Sequence, residues 1–248
     1  MKKKNITQET EENIGENFPS KKQDNLNTVE KIQNYIQNNS KKVITYSIVI
    51  IAITALFFLI KNKLESDSLE NKEEASVSLA RILPYYNEAN YEVALKGEPS
   101  VTIRGEKVIG LTEIVENYEG LEEGKVAALY AGNSLLNLNK FEESKKYFEI
   151  ALKSEANTVL EGANAGMGVA LESLKDYANA VKFYTTASEL GVTPGSKNRY
   201  AYFAGICYEK GGNKDKAIEI YKDIILESAS EYVGLSKARL VRLGTVIE

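Results

Sequence analysis

Three segments of the sequence, ALYAGNSLLNLNKFEESKKYFEIAL, NAGMGVALESLKDYANAVKFYTTAS and AYFAGICYEKGGNKDKAIEIYKDII, share one frame. Gly132, Gly168 and Gly205 are each followed three residues later by Leu135, Leu171 and Tyr208. Twelve residues after each glycine stand Ser144, Ala180 and Ala217, then Phe148, Tyr184 and Tyr221, then Ala151, Ala187 and Ile224. Such spacing is the pattern of two packed antiparallel helices: the small residues mark the closest approach of the backbones, and the aromatic plugs the gap beside them. The intervening NLNK, SLKD and KGGNKD have the composition of helix breakers. Successive units start 36 and 37 residues apart, and the glycine-to-small-residue interval is constant, so the surplus falls in the loops near SEANTVLEG and ELGVTPGSKN.

This frame resembles the tetratricopeptide repeat, with a Gly in the first helix and Ala, an aromatic and Ala in the second. The departures are the missing Trp of the first helix, Ser144 for Ala, and Ile224 for Ala. The resemblance implies an α-solenoid of stacked helix pairs. Such an array needs a terminal helix to cover its last apolar face. ASEYVGLSKARLVRLG, with Tyr232, Leu235, Ala238, Leu240 and Leu243 on one side, is the expected cap.

The second constraint is KKVITYSIVIIAITALFFLIKNK, Lys41 to Lys63, whose 18 residues from Val43 to Ile60 carry no charge. At ~1.5 Å per residue they cover about 27 Å, close to the roughly 30 Å hydrocarbon thickness of a bilayer. The segment before them and the absence of a small-residue cleavage site after them argue against a removable signal. A core helix would carry a polar stripe, whereas the only interruptions are Thr45, Tyr46, Ser47 and Thr54. A retained transmembrane helix at 43–60 is the reading. The expected fold class is therefore all-α: one spanning helix, then the solenoid with its C-terminal capping helix.

Around these landmarks, residues 1–27 are polar and poor in large apolar groups, and are read as a disordered tail. Residues 28–42 form an amphipathic lead-in helix with Val29, Ile32, Tyr35 and Ile36 at helical spacing and Thr28 as its N-cap. Residues 64–124 are read as one irregular repeat: a helix bent or ended near Pro84, a short helix NYEVAL in which Tyr91 and Ala94 imitate the aromatic-x-x-Ala of a second repeat helix, a loop or extended stretch VTIRGEKV, and a helix GLTEIVENYEGLEEG stopping at Gly120. Residues 125–248 hold the three clear repeats and the cap.

Composition excludes several functions. Residues 1–42 carry 8 basic and 6 acidic residues, whereas residues 61–248 carry 23 and 29, so the larger part is acidic and unsuited to nucleic acid. One cysteine, Cys207, and no histidine exclude an internal disulfide and the common zinc and Cys/His nucleophile arrangements. Cys207 reads as a small buried apolar residue. No P-loop, dinucleotide fingerprint or nucleophile elbow is present, and carboxylate runs such as Glu122-Glu123 and Glu142-Glu143 sit at helix starts. No catalytic, cofactor-binding or metal-binding residue is expected, and the chain is read as non-enzymatic.

In a repeat array the first helices line a groove that binds peptides or helices. The candidate partner-binding residues are Leu129, Asn133, Leu136 and Asn137, then Val169, Glu172 and Ser173, then Arg199, Tyr202, Ile206 and Glu209. About half of these are as well explained as filler of the seam between repeats. Repeat proteins that hold acidic chaperone C-termini use a Lys/Asn/Asn/Lys/Arg clamp. Here Asn133 matches one place, but Leu129, Gly166 and Phe203 stand where Lys, Asn and Arg would be, which counts against a cytosolic co-chaperone or import receptor.

Over residues 28–243, the lead-in helix, the span, NYEVALKG and GLTEIVENYEGLEEGKVAALYAGNSLL together resemble the membrane-anchored repeat proteins of the YfgM type, in the version found in Bacteroidetes-like bacteria. That resemblance implies an ancillary role at the SecYEG translocon and links to periplasmic chaperones. It also implies a bacterial inner membrane location, with a cytoplasmic N-terminus and periplasmic repeats. Five basic residues (Lys21, Lys22, Lys31, Lys41, Lys42) before the span against four (Lys61, Lys63, Lys72, Arg81) after it give the same orientation a weak bias. The expected partners are translocon subunits, chaperones or exported chains. The alternatives are a regulatory tether signalling through its cytoplasmic tail, and a cytosol-facing import or co-chaperone receptor.

Overall fold

The computed structural model describes residues 21–226 and 230–245, with side chains from residue 28 onward. In chain order come α1 (Lys21–Asn38), α2 (Ser40–Asn87), α3 (Tyr91–Lys96), β1 (Gly97–Ile103), β2 (Glu106–Ile109), α4 (Leu111–Tyr118), α5 (Glu122–Asn137), α6 (Phe141–Ala151), α7 (Asn157–Ser173), α8 (Tyr177–Leu190), α9 (Pro194–Lys210), α10 (Lys214–Leu226) and α11 (Tyr232–Arg242). The chain divides into two units, residues 1–65 and 66–248, and α2 contributes to both.

In the first unit, i to i−4 backbone bonds run across the single residue between α1 and α2: Asn39 donates to the Tyr35 carbonyl at 3.0 Å and Val43 to that of Asn39 at 2.9 Å. Thr45 and Thr54 return their hydroxyls to the helix, bonding Lys41 and Ile50 carbonyls at 2.9 and 3.0 Å. That is how a hydroxyl is tolerated in an apolar helix. α2 is long and apolar enough to cross a membrane, and none of its most apolar 18-residue stretch is buried. α1 starts at Lys21, so Thr28 lies inside the helix and does not cap it. The tail expected at 1–27 is helical from Lys21, and its remainder lies outside the described residues.

The second unit is built on one turn used four times. Ala89, Asn139, Lys175 and Gly212 have φ of 59°, 59°, 66° and 86°. The residue after each donates its N–H to a carbonyl five back: Asn90 to Tyr85 and Lys140 to Leu135 at 2.8 Å, Asp176 to Leu171 and Asn213 to Tyr208 at 2.9 Å. This is the Schellman ending, which satisfies the last carbonyls of a helix and reverses the chain. It joins α2 to α3, α5 to α6, α7 to α8 and α9 to α10.

Counting back from the turn, the glycine place of the earliest unit is taken by Ile82, which is fully buried. The helix passes through Pro84 and ends at Asn87, so Pro84 neither separates two helices nor stops one. Ile82 and Gly132 are fifty residues apart, fourteen more than the 36 of the next interval, and Gly97 to Gly110 is a fourteen-residue insertion. It forms a β-hairpin, the extended alternative expected for VTIRGEKV, which adds a short two-stranded sheet to an otherwise all-helical expectation; the chain is mostly helical. Antiparallel β1 and β2 meet at a two-residue turn, Arg104-Gly105, with φ of 56° and 86°, the positive pair that tight hairpins require. The neck closes on glycines. A Cβ on Gly97 would stand 2.6 Å from the Gly110 nitrogen, and Thr112 Oγ1 donates to the Leu95 carbonyl at 2.8 Å across the same gap.

The core follows the repeat frame: Ile82, Ala94, Leu95, Val108, Leu111 and Ile114 fill the earliest repeat, and small residues and ring plugs continue it through α9. A second cluster gathers Tyr202, Ile206, Ala217, Tyr221, Ile224 and Leu240, with Tyr232, Val233 and Leu243 packed against it. α11 therefore covers the end of the array, but through Tyr232, Val233, Ser236, Leu240 and Leu243. Leu235 and Ala238 of the expected face are exposed.

Candidate protein-binding groove

The three aromatic plugs occupy space that their glycines leave. A Cβ added at Gly132, Gly168 or Gly205 would lie 2.6, 2.7 or 2.6 Å from the rings of Phe148, Tyr184 and Tyr221. Phe148 also fills the hollow over Gly166 of the following unit, whereas Tyr184 meets Phe203 at that place, ring centroids 5.6 Å apart.

A buried phenol needs an acceptor. Tyr184 donates to Glu172 Oε2 at 2.8 Å and Tyr221 to Glu209 Oε2 at 3.1 Å. Both acids stand four residues after their glycines; the same place opposite Phe148, which has no hydroxyl, is Leu136. Burial, and then the adjacent carboxylate, push both tyrosines well above the ordinary phenol range, so they stay donors.

Each acid also reaches the next element. Glu172 Oε1 accepts from Lys210 Nζ at 2.8 Å, and Glu209 accepts from Arg242 at 2.8 Å and pairs with Arg239 at 3.4 Å, both on α11. In the earliest unit the same place is Tyr86, whose ring lies 4.8 Å from that of Tyr130 and whose hydroxyl meets the side chain of Asn133. In three of the four repeats this position ties a first helix to the next first helix or, at the end, to the cap.

The structure sorts the candidate groove residues accordingly. Glu172 and Glu209 hold internal partners. Tyr202 and Ile206 are each only 8% exposed, lying beneath α11, where Arg239 Nε donates to Tyr202 Oη at 3.2 Å. Leu129 packs on α7, near enough that a Cβ on Gly162 would stand 3.1 Å away. Asn133 is engaged by Tyr86, and Leu136 packs against the core. Asn137, Val169, Ser173 and Arg199 are exposed; Asn137 bonds the Asn133 carbonyl at 2.8 Å, and Arg199 stacks 4.6 Å above the Tyr200 ring while donating to its hydroxyl. Tyr86 and Tyr130, absent from the sequence-based set, add aromatic area beside Asn133. The signal for them was the frame extended back to Ile82.

Cys207 is fully buried, and burial followed by the Glu172 charge pushes its thiol up to about 12. It is inert packing. Among the described residues no group of three or more metal-ligating side chains converges.

Helix pairs with a glycine-aromatic plug, a shared turn and a terminal cap define a repeat solenoid of the kind that scaffolds protein–protein contacts. Family profiles described as Tetratricopeptide repeat match residues 131–158 and 162–190, and another of the same description matches 204–228. The chain carries tetratricopeptide repeats. Two similar solved structures are the TPR domain of Arabidopsis FLU (20% identity, 44% of this chain and 96% of that one, TM-score 0.39) and MamA (16% identity, 71% and 99%, TM-score 0.42). Both scores are below 0.5, so the fold rests on the repeat matches and the packing described above. No curated protein matches the sequence.

Proposed function

We propose that this chain is a non-enzymatic scaffold fixed in a bacterial inner membrane by residues 43–60, with its N-terminus cytoplasmic and its repeats periplasmic. There it captures translocon subunits, periplasmic chaperones or emerging exported chains. The observation that carries the reading is the open strip of Asn137, Val169, Ser173 and Arg199 on the first repeat helices, in a chain whose α2 can span a bilayer. The strip mixes an apolar contact, an amide, a hydroxyl and one cation, which suits extended or helical segments. The translocon and chaperone assignments derive from the YfgM-type resemblance.

The test is photo-crosslinking in living cells from a reactive residue at position 169, with position 202 as control. Val169 is 38% exposed and Tyr202 is shielded by α11, so partner capture from 169 and not from 202 supports the strip. Captured translocon subunits, exported chains or periplasmic chaperones support the assignment; cytosolic proteins alone invert the orientation and favour the import-receptor reading.

A further inference from the structure

We infer that a second copy of this chain pairs with it in parallel along α1 and the first part of α2, closing over one apolar stripe. Val29, Ile32, Ile36, Asn39, Val43, Tyr46, Ile50, Ile53, Phe57, Ile60 and Leu64 follow one another at alternating intervals of three and four residues. That is the 3.5-residue period of a left-handed helix pair. Within α1, Val29, Ile32 and Ile36 are about half exposed, with no described residue of their own unit covering them.

Three observations choose a second copy over a lipid surface. Two i to i−4 bonds bridge the single non-helical residue Asn39, so α1 follows the span without an intervening loop that would let it fold back onto the bilayer. An identical chain held by an identical span presents the same stripe at the same depth, in register. Of the residues flanking the stripe along α1 and its junction with α2, Gln33, Tyr35 and Ser40 are uncharged, and the one flanking cation there, Lys42, stands at the edge of the span where it reaches water.

The driving force lies in α1. Within lipid, apolar side chains gain little from one another, whereas Val29, Ile32 and Ile36 leave water on pairing. Asn39 is the one amide in the stripe. Its Nδ2 is held by the Tyr35 carbonyl at 3.2 Å, which leaves its carboxamide oxygen to accept from the facing Asn39. An amide buried in the seam needs a partner, which favours the register that sets Asn39 opposite its own copy. Confinement to one membrane raises the effective concentration of the two helices.

The inference rests on the membrane-anchored reading, and one preparation tests both. Membranes holding the full chain with Ile36→Cys or Asn34→Cys are oxidised with copper phenanthroline; Cys207, the only native thiol, is buried. Position 36 lies on the stripe and position 34 opposite it, so the expected dimer yield is at least about five-fold higher for Ile36→Cys. Equal yields, or none at position 36, overturn the inference; so does protection of position 36 from an aqueous maleimide without cross-linking, the result for a helix lying on lipid. Alkaline extraction of the same membranes separates the two readings: a released chain defeats the anchor, and a retained chain without face-specific cross-links defeats only the pairing.

Discussion

Tyr184 donates a 2.8 Å hydrogen bond to Glu172, twelve residues earlier in the same repeat, and the same carboxylate holds Lys210 of the next repeat at 2.8 Å. One acid thus satisfies the buried phenol of its own unit and ties that unit to its successor.

The pair behaves as a unit. For the full chain in detergent, Glu172→Leu strands the Tyr184 hydroxyl and is expected to cost about 1–3 kcal/mol, and Tyr184→Phe about 1 kcal/mol. The double variant reproduces the Leu136 and Phe148 pair already present in the sequence. Denaturant titration should find it less destabilised than the sum of the singles; strict additivity would show that the bond is not coupled.

Glycines at the plugs and glycines in open helix should respond in opposite directions. Gly168→Ala drives a methyl into the Tyr184 ring and is expected to lose about 1–3 kcal/mol. Gly234→Ala, in α11 with nothing near its Cβ, should gain up to about 1 kcal/mol from helix propensity. Thermal melts of the two variants moving the same way would contradict the packing.

At the four Schellman turns the left-handed residue is Gly only at position 212. Lys175, at φ 66°, carries a Cβ that this conformation disfavours, so Lys175→Gly is expected to stabilise by about 0.5–1 kcal/mol. A lower melting temperature would mean that the lost side chain matters more than the relieved backbone.

Glu122 opens α5 and accepts from Lys125 Nζ at 2.7 Å, Ser154 Oγ at 2.5 Å and the Glu155 N–H at 3.2 Å. Lys125 first and Ser154 second hold its carboxyl below the ordinary 4.5. A depressed carboxyl contributes stability above its unfolded value and loses it as pH falls through the folded one. Because the side chain is 39% exposed, the contribution is a few tenths to about 1 kcal/mol. The gap in melting temperature between the native chain and Glu122→Gln should be full at about pH 7 and narrow as pH falls below the ordinary carboxyl value of 4.5. A gap independent of pH would remove the charge from the explanation.

The repeats were legible because a glycine and an aromatic at fixed spacing are complementary volumes, and complementarity survives in sequence. The earliest unit hid its frame for the same reason. There the hairpin displaces the aromatic place, so no plug demands a glycine, and Ile82 fills the volume itself. Glu172, Glu209, Tyr202 and Ile206 were placed in the groove because the groove and the seam share one helix face. Spacing cannot separate the two when the deciding partners, Lys210, Arg239 and Arg242, lie thirty or more residues downstream. Part of the face used by α11 escaped for a related cause: a short helix with apolar residues all round does not announce which side it buries.

Glu209 carries a last consequence. Its carboxylate is shared by Arg239 and Arg242, so the position that elsewhere hands one repeat on to the next is already taken. An additional 36-residue module could be accepted before α9 but not after α10. The array has a growth end and a stop, and an engineer lengthening this scaffold would have to insert upstream of the lock.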